Sequence, residues 1–329
     1  MVLFYFKKEN SIQGIISRTE SKDYYVFSGE DNSLIRCSIK GKLKKDFNLK
    51  KDKLYHTDFA VTGDLVLFDL NDDGSGVIHK ILPRKNYLSR KAIKTRGASY
   101  RGERLEQIIA SNIDNVFIVI STTQPEFNNK TLDRFLVACE SSHITPNIII
   151  NKIDLVEHSF TDFWAELYQD IGYEVFQTTL KNPASILVLK NILKGNKNLV
   201  WGQSGVGKSS ILNVLYPELN LKVGEISNYT SKGRHTTVTS TMFLVDDATY
   251  IIDTPGVREI DPFGIKKEFL GHYFKEFEPH IKNCRFNTCT HHHEPGCAVI
   301  SAVKNAEISE FRYESYLRIL DTVEKDINF

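Results

Sequence analysis

Apolar residues in the N-terminal part of the chain come in short runs, at 14–16, 24–27, 34–39, 64–68 and 76–79, separated by Gly29, Gly41, Gly63 and the turn Asn71-Asp72-Asp73-Gly74. Runs of that length, punctuated by glycine and Asx residues, predict β-strands. Five of them within residues 1–82 predict a small barrel of the OB type. From residue 105 the pattern changes. Apolar runs at 116–120, 147–150, 173–177, 198–201 and 249–252 predict buried strands. They alternate with segments of helical spacing at 130–142, 160–171, 184–193 and 210–215; in the first of these Leu132, Phe135, Leu136 and Cys139 form one stripe. Strands alternating with helices predict a parallel sheet covered on both faces over residues 105–263. A last amphipathic segment, 307–324, offers Ile308, Phe311, Leu317, Leu320 and Val323 for packing within a C-terminal domain at 264–329. The fold class expected is multidomain α/β, with the barrel first and a mainly helical domain last.

Composition narrows the function classes. The chain has 329 residues, 41% hydrophobic and 25% charged, with a formal net charge of +1. That balance suits a soluble globular protein and excludes a global field for nucleic acid, leaving only local basic patches. One such patch is the linker expected at 83–104, where residues 84–104 hold eight Lys or Arg against a single Glu, with Tyr87 and Tyr100 interspersed; it suits a run of phosphates. Lysines at 42, 44, 45, 50, 51 and 53 add a second. No apolar run reaches membrane-spanning length and the opening M-V-L-F-Y-F is too short for a signal core, so a cytoplasmic protein without a membrane partner is expected, as a monomer. Three of the five cysteines fall within 284–297, a spacing that favours a metal over disulfides; Cys37 and Cys139 are expected to be buried apolar residues.

The chemistry begins at residues 202–209, G-Q-S-G-V-G-K-S, between an expected strand and an expected helix. In a loop G-x-x-x-x-G-K-[ST] the backbone N–H groups of Gly202, Gln203, Ser204, Gly205, Val206 and Gly207 wrap phosphates, with Ser210 just beyond; Lys208 reaches the terminal phosphates and the Ser209 hydroxyl ligates Mg²⁺. Asn151-Lys152-Ile153-Asp154 matches N-K-x-D, in which a carboxylate accepts hydrogen bonds from the guanine N1–H and amine that adenine cannot supply. Asp253-Thr254-Pro255-Gly256 matches D-x-x-G, in which Asp253 and Gly256 sense Mg²⁺ and the γ-phosphate. The three motifs together define a site for GTP and GDP. Their order is permuted, because N-K-x-D precedes the phosphate loop by about fifty residues. The polar stretch 224–240 between loop and D-x-x-G suits a switch segment, with Thr236 or Thr237 as a further Mg²⁺ ligand. Val257 stands where many GTPases carry a water-orienting glutamine and has no polar atom for that work. Finally, C-x4-C-x-H-x5-C at 284–297 supplies Cys284, Cys289, Cys297 and one of His291, His292 and His293 as ligands for structural Zn²⁺.

These motifs, with V-T-G-D-L-V at 61–66, Q-I-I-A-S-N-I-D at 107–114 and G-R-H-T-T at 233–237, resemble the ribosome small-subunit-dependent GTPase A family of circularly permuted GTPases along nearly the whole chain. The resemblance implies a GTPase stimulated by the small ribosomal subunit and its rRNA. It also implies His235 as the group that orients the attacking water, Thr237 as the switch threonine on Mg²⁺, and His291 as the zinc-binding histidine. The last guanine-contact motif of the family, Ser-Ala-like, is Thr178-Thr179 here, and the sequence assigns these two no role. A nucleotide-gated RNA-binding module and a GTPase acting on a protein target are the rival readings.

Overall fold

The computed structural model describes residues 11–41, 43, 59–91, 106–222, 240–254 and 264–324. The loop lysines at 42, 44, 45, 50, 51 and 53, most of the linker, the switch residues His235, Thr236 and Thr237, and Pro255, Gly256 and Val257 lie outside the described residues.

Strands β1 (Ile12–Glu20), β2 (Asp23–Ser28), β3 (Leu34–Ile39), β4 (Leu65–Leu70) and β5 (Gly76–Ile81) close a barrel in the order β1-β2-β3-β5-β4, with β3 and β5 parallel and the other pairs antiparallel. Inward positions hold Ile16, Val26, Cys37, Val66, Phe68 and Ile78, all buried, so side chains fill so small an interior. A bulge between Ile16 and Arg18 interrupts the alternation of β1 and leaves Ser17 buried beside Ile16.

The expected linker is not only a connector. Tyr87–Lys91 forms β6, which pairs antiparallel with β7 (Glu106–Ser111). The reason is burial: Leu88 has no solvent exposure and joins the same core as Ile109, Ala110 and Val116.

The central sheet comprises β8 (Asn115–Ser121), β9 (Thr145–Asn151), β10 (Glu174–Thr178), β11 (Lys197–Trp201), β12 (Thr241–Leu244) and β13 (Tyr250–Asp253). Their order is β10-β9-β8-β11-β13-β12, parallel except for the edge strand β12. Two helices cover one face, α1 (Asn129–Ser141) and α2 (His158–Asp170); α3 (Ala184–Leu187), α4 (Lys190–Leu193) and α5 (Lys208–Leu215) cover the other. Along β8 the side chains alternate between these layers. Val116, Ile118 and Ile120 pack with Leu132 and Phe135, whereas Phe117 and Val119 pack with Ile186 and Ile211. A strand buried on both faces needs an unbroken apolar run, which is why β8 shows no polar alternation. The single helix expected over 184–193 is two turns, since the bonding tightens to i→i+3 where Leu189 N–H donates to Ile186 O at 3.0 Å.

The C-terminal domain contains α6 (Lys267–Leu270), α7 (Glu278–Ile281), α8 (Ala298–Lys304) and α9 (Glu310–Glu324). Its core of Leu270, Phe274, Phe277, Val299, Tyr316, Ile319 and Leu320 includes Val137 of α1, so this domain packs directly on the GTPase sheet's outer helix. Phe311 departs from expectation. It is 46% exposed, and Arg312, Tyr316 and Ile319 take the inward face of α9 instead.

Candidate nucleotide-binding site and metal centre

The phosphate loop joins β11 to α5 through Gly202, Gly205 and Gly207, all with positive φ (151°, 84° and 102°), a path open to glycine at little cost. At Gly207 a Cβ would stand 2.3 Å from Asn151 Nδ2. Glycine there lets the end of β9 reach the loop. Asn151 Nδ2 donates to Val206 O at 2.8 Å, and Asn151 Oδ1 accepts from Thr178 Oγ1 at 3.0 Å. One buried amide therefore ties the phosphate loop, the N-K-x-D turn and β10 together. Lys152, in the left-handed region with φ 63°, extends across the loop, and its Nζ donates to the carbonyls of Gly205 (2.8 Å), Thr123 (3.3 Å) and Gln124.

Asp154 is held in turn. Its Oδ1 accepts from Thr179 Oγ1 at 2.5 Å and its Oδ2 lies 3.0 Å from Lys181 Nζ. The Thr179 hydroxyl, followed by Lys181, keeps the carboxyl below the usual carboxylate range. Thr178 and Thr179, which the sequence located without a role, and Lys181, which it missed, are thus in contact with the N-K-x-D residues. The available signal was their position just after β10, parallel and adjacent to β9, where short side chains meet the N-K-x-D turn.

On the phosphate side, Lys208 Nζ donates to the carbonyls of Gly202 (2.8 Å) and Gln203 (2.9 Å). Burial lowers its pKa, and Asp253 opposes that shift; burial raises Asp253, and Lys208 opposes that one. Each group would drift toward its neutral form without the other. Asp253 ends β13 opposite Val200 of β11, beside the start of the phosphate loop. Ser209 lies in the first turn of α5. Its hydroxyl and the Asp253 carboxylate are hard oxygen donors of the kind that could hold Mg²⁺.

The barrel also reaches the site. Ser17 Oγ donates to Met242 O and Thr62 Oγ1 to Ser240 O, both at 2.7 Å, and Ser240 Oγ donates to Ile109 O at 2.8 Å. Two buried barrel hydroxyls thus grip β12, which begins directly after the switch stretch. The V-T-G-D-L-V motif anchors this joint. Asp64, fully buried, accepts from Arg84 through both oxygens (2.6 and 2.8 Å), from Ser111 Oγ at 2.6 Å and from Val61 N at 2.9 Å. At Gly63, with φ 92°, a Cβ would lie 2.1 Å from Ser111 O, so only glycine allows the barrel and β7 to meet.

In the C-terminal domain the ligand atoms of Cys284, Cys289, His291 and Cys297 all lie within 4.8 Å of one another. His291 Nδ1 is 3.6 Å from Cys284 Sγ and 3.4 Å from Cys297 Sγ, and the two sulfurs are 3.9 Å apart. Three thiols and one imidazole nitrogen at tetrahedral-edge spacing fit Zn²⁺, with no position open for substrate. His292 and His293 stand outside the set; their backbone N–H groups donate to Glu294 Oε2 at 3.0 and 3.2 Å. Burial pushes the Glu294 carboxyl up, but Thr290 donating through Oγ1 (2.5 Å) and N (2.8 Å), with these further bonds, brings it to about 2. Tyr313 and Tyr316 of α9 donate to the carbonyls of His291 (2.7 Å) and Thr290 (2.5 Å), which fixes the metal loop on the last helix.

A parallel sheet with the phosphate loop on its central strand, N-K-x-D two strands away and the motifs in permuted chain order defines a circularly permuted P-loop GTPase. Comparison with known proteins agrees. The RsgA GTPase family model matches residues 81–263. A curated relative from Phocaeicola vulgatus, a small ribosomal subunit biogenesis GTPase, is 39% identical over 94% of this chain and 96% of its own. Another of that description, from Chlorobaculum parvum, is 34% identical over 96% and 99%. The crystal structure of YjeQ from Thermotoga maritima superposes with a TM-score of 0.73 at 32% identity over 95% of this chain and 99% of that one. The structure of YloQ, a circularly permuted GTPase, does so with 0.70 at 27% over 98% of each. The chain belongs to the RsgA GTPase family and is a GTP-hydrolysing enzyme. Among the described residues no helix is long and apolar enough to cross a membrane.

Proposed function

We propose that this protein is a cytoplasmic, monomeric GTP-driven switch that binds the small ribosomal subunit and its rRNA, assists late assembly of the subunit, and hydrolyses GTP faster on it than alone. The observation that carries the reading is the Asn151 amide bonded to both the phosphate loop and Thr178, which makes base recognition and phosphate binding one connected site. The relatives named small ribosomal subunit biogenesis GTPases, aligned along nearly their full length, support the choice of partner.

In this reading Asp154 accepts the guanine N1–H and amine, with Asn151 and Lys152 bracing the pocket. The backbone of 202–207 and the first turn of α5, through Ser210, wrap the phosphates, and Lys208 leaves its loop carbonyls for the terminal phosphates. Ser209 and Thr237 would hold Mg²⁺, which would supply charge neutralisation at the transferring phosphoryl group. Asp253 and Gly256 respond to the γ-phosphate, and His235 orients the attacking water that Val257 cannot. The parts divide as barrel 1–82, basic linker 83–104, GTPase domain 105–263 and zinc domain 264–329, with barrel, linker and zinc domain as the rRNA-facing surfaces.

The test is turnover with and without purified small subunits, alongside co-sedimentation in GDP and in a non-hydrolysable GTP analogue. Stimulated turnover and tighter binding with the analogue are expected, the two linked by the same coupling factor. His235→Ala should lower kcat by roughly 10² while GTP affinity stays nearly constant. Turnover indifferent to subunits would reject the ribosomal reading.

A further inference from the structure

An aromatic strip crosses the joint between the GTPase and C-terminal domains. Phe160 and Phe163 of α2 and Phe311 of α9 are 38%, 46% and 46% exposed. Their rings are continuous: Phe163 lies 5.9 Å from Phe311, Trp164 5.3 Å from Phe311, Phe127 4.7 Å from Trp164 and 5.7 Å from Phe160, centroid to centroid. Folding does not need these three rings outside. The inward face of α2 is made by Thr161, Trp164, Ala165 and Tyr168, and α9 packs inward through other residues. The strip is also held rigid. Arg312, next to Phe311 and 1% exposed, donates to Asp133 of α1 and through Nε to Glu276 Oε1 at 2.6 Å, and Tyr168 donates to the same Asp133 at 2.7 Å.

The rim is acidic. Glu157 just before α2, Asp162 and Glu166 on it, and Glu310 and Glu314 on α9 are all exposed. Against them stand Lys130, paired with Glu314 at 3.1 Å, and Arg318 one turn beyond Glu314. An exposed apolar patch with such a rim marks an interaction surface, and its field repels nucleic-acid phosphates while drawing lysine and arginine. We propose that this strip docks a basic protein segment in which Arg or Lys alternates with Leu or Phe, the apolar side chains lying on Phe160, Phe163 and Phe311 and the cations on the rim. The proposal rests on the preceding functional reading only in placing such a segment on a protein of the small subunit.

Two measurements test it. Fluorescence anisotropy with a labelled twelve-residue Arg/Leu peptide should detect binding to the GDP-loaded protein. Phe163→Ser with Phe311→Ser should weaken it about tenfold or more, Glu310→Gln with Glu314→Gln should weaken it and flatten its salt dependence, and GDP affinity should stay unchanged in both. Affinity no better than for the Glu/Leu counterpart, or unchanged in the phenylalanine variant, overturns the proposal. In the second, a photoreactive phenylalanine analogue replaces Phe163 and small subunits are added with the GTP analogue. Crosslinking to a basic ribosomal protein supports the docking surface; crosslinking to rRNA, or to nothing while the subunit co-sediments, overturns it. Failure of the parent protein to co-sediment rejects the ribosomal reading instead, and the peptide measurement still decides the surface.

Discussion

In the proposed reading Asp154 is held in place for guanine by its own neighbours. The Thr179 hydroxyl and Lys181 fix its carboxylate, so no rotamer has to be selected on binding. A hydrogen bond to a charged group contributes about 1.5–3 kcal/mol. Thr179→Val should therefore lower GDP affinity roughly tenfold, whereas Asp154→Asn should lower it more and favour xanthosine over guanosine nucleotides. Because the pKa of Asp154 is depressed, the ionised, accepting form persists below the ordinary carboxylate pKa. GDP affinity measured by titration calorimetry should then be flat, as far as this group is concerned, from about pH 8 down to about pH 4, where an unperturbed Asp would already be half protonated. A carboxylate-like fall within that window would contradict the role given to Thr179.

Two elements carry loads that no single motif announces. The edge strand β12 is bonded on one side to β13 and on the other to barrel hydroxyls, so the barrel and the switch stretch share a strand. Thr62→Val keeps the shape but leaves the buried carbonyl of Ser240 unpaired, at about 1–3 kcal/mol. Amide exchange of Thr241–Leu244 should speed up about tenfold or more in that variant, with GDP affinity nearly intact. The metal loop is the second such element. Cys289 and Cys297 belong to the core of the C-terminal domain, and that core is small. One zinc per chain is expected by metal analysis. Its removal by chelator, or Cys289→Ala, should melt α8 and α9 early in circular dichroism while nucleotide binding survives.

Between domains, a buried ion network adds to the apolar contact that Val137 makes with the C-terminal core. Arg312 bridges Asp133 of the GTPase domain and Glu276 of the C-terminal domain, and its guanidinium lies 4.6 Å from the centre of the Phe274 ring. Removing one member of such a network strands a buried charge, at about 3–5 kcal/mol. Arg312→Ala should split thermal unfolding into two transitions in calorimetry, where the parent protein shows one. The same variant should lose stimulation by small subunits in greater proportion than intrinsic turnover, because the C-terminal domain would no longer follow the nucleotide site.

Much of this architecture was legible in the residues. The phosphate loop, N-K-x-D and the cysteine cluster are local patterns whose chemistry needs fixed residue types at fixed spacing. Apolar runs of strand length separated by helical stripes dictated the α/β sheet, since a strand covered on both faces cannot alternate. What remained hidden depends on residues distant in the chain. Thr178 and Thr179 matter only because β10 lies beside β9. Ser17 and Thr62 are ordinary barrel residues until β12, some 180 or more residues onward, brings its carbonyls to them. Tyr87–Lys91, polar and basic by composition, becomes a strand because Leu88 finds a core built from another segment. Phe311 fits the apolar stripe of its helix yet faces solvent, since Arg312 is drawn inward by two carboxylates from elsewhere in the fold. Periodicity records which residues can be buried, whereas partners supplied by tertiary contact decide which of them are.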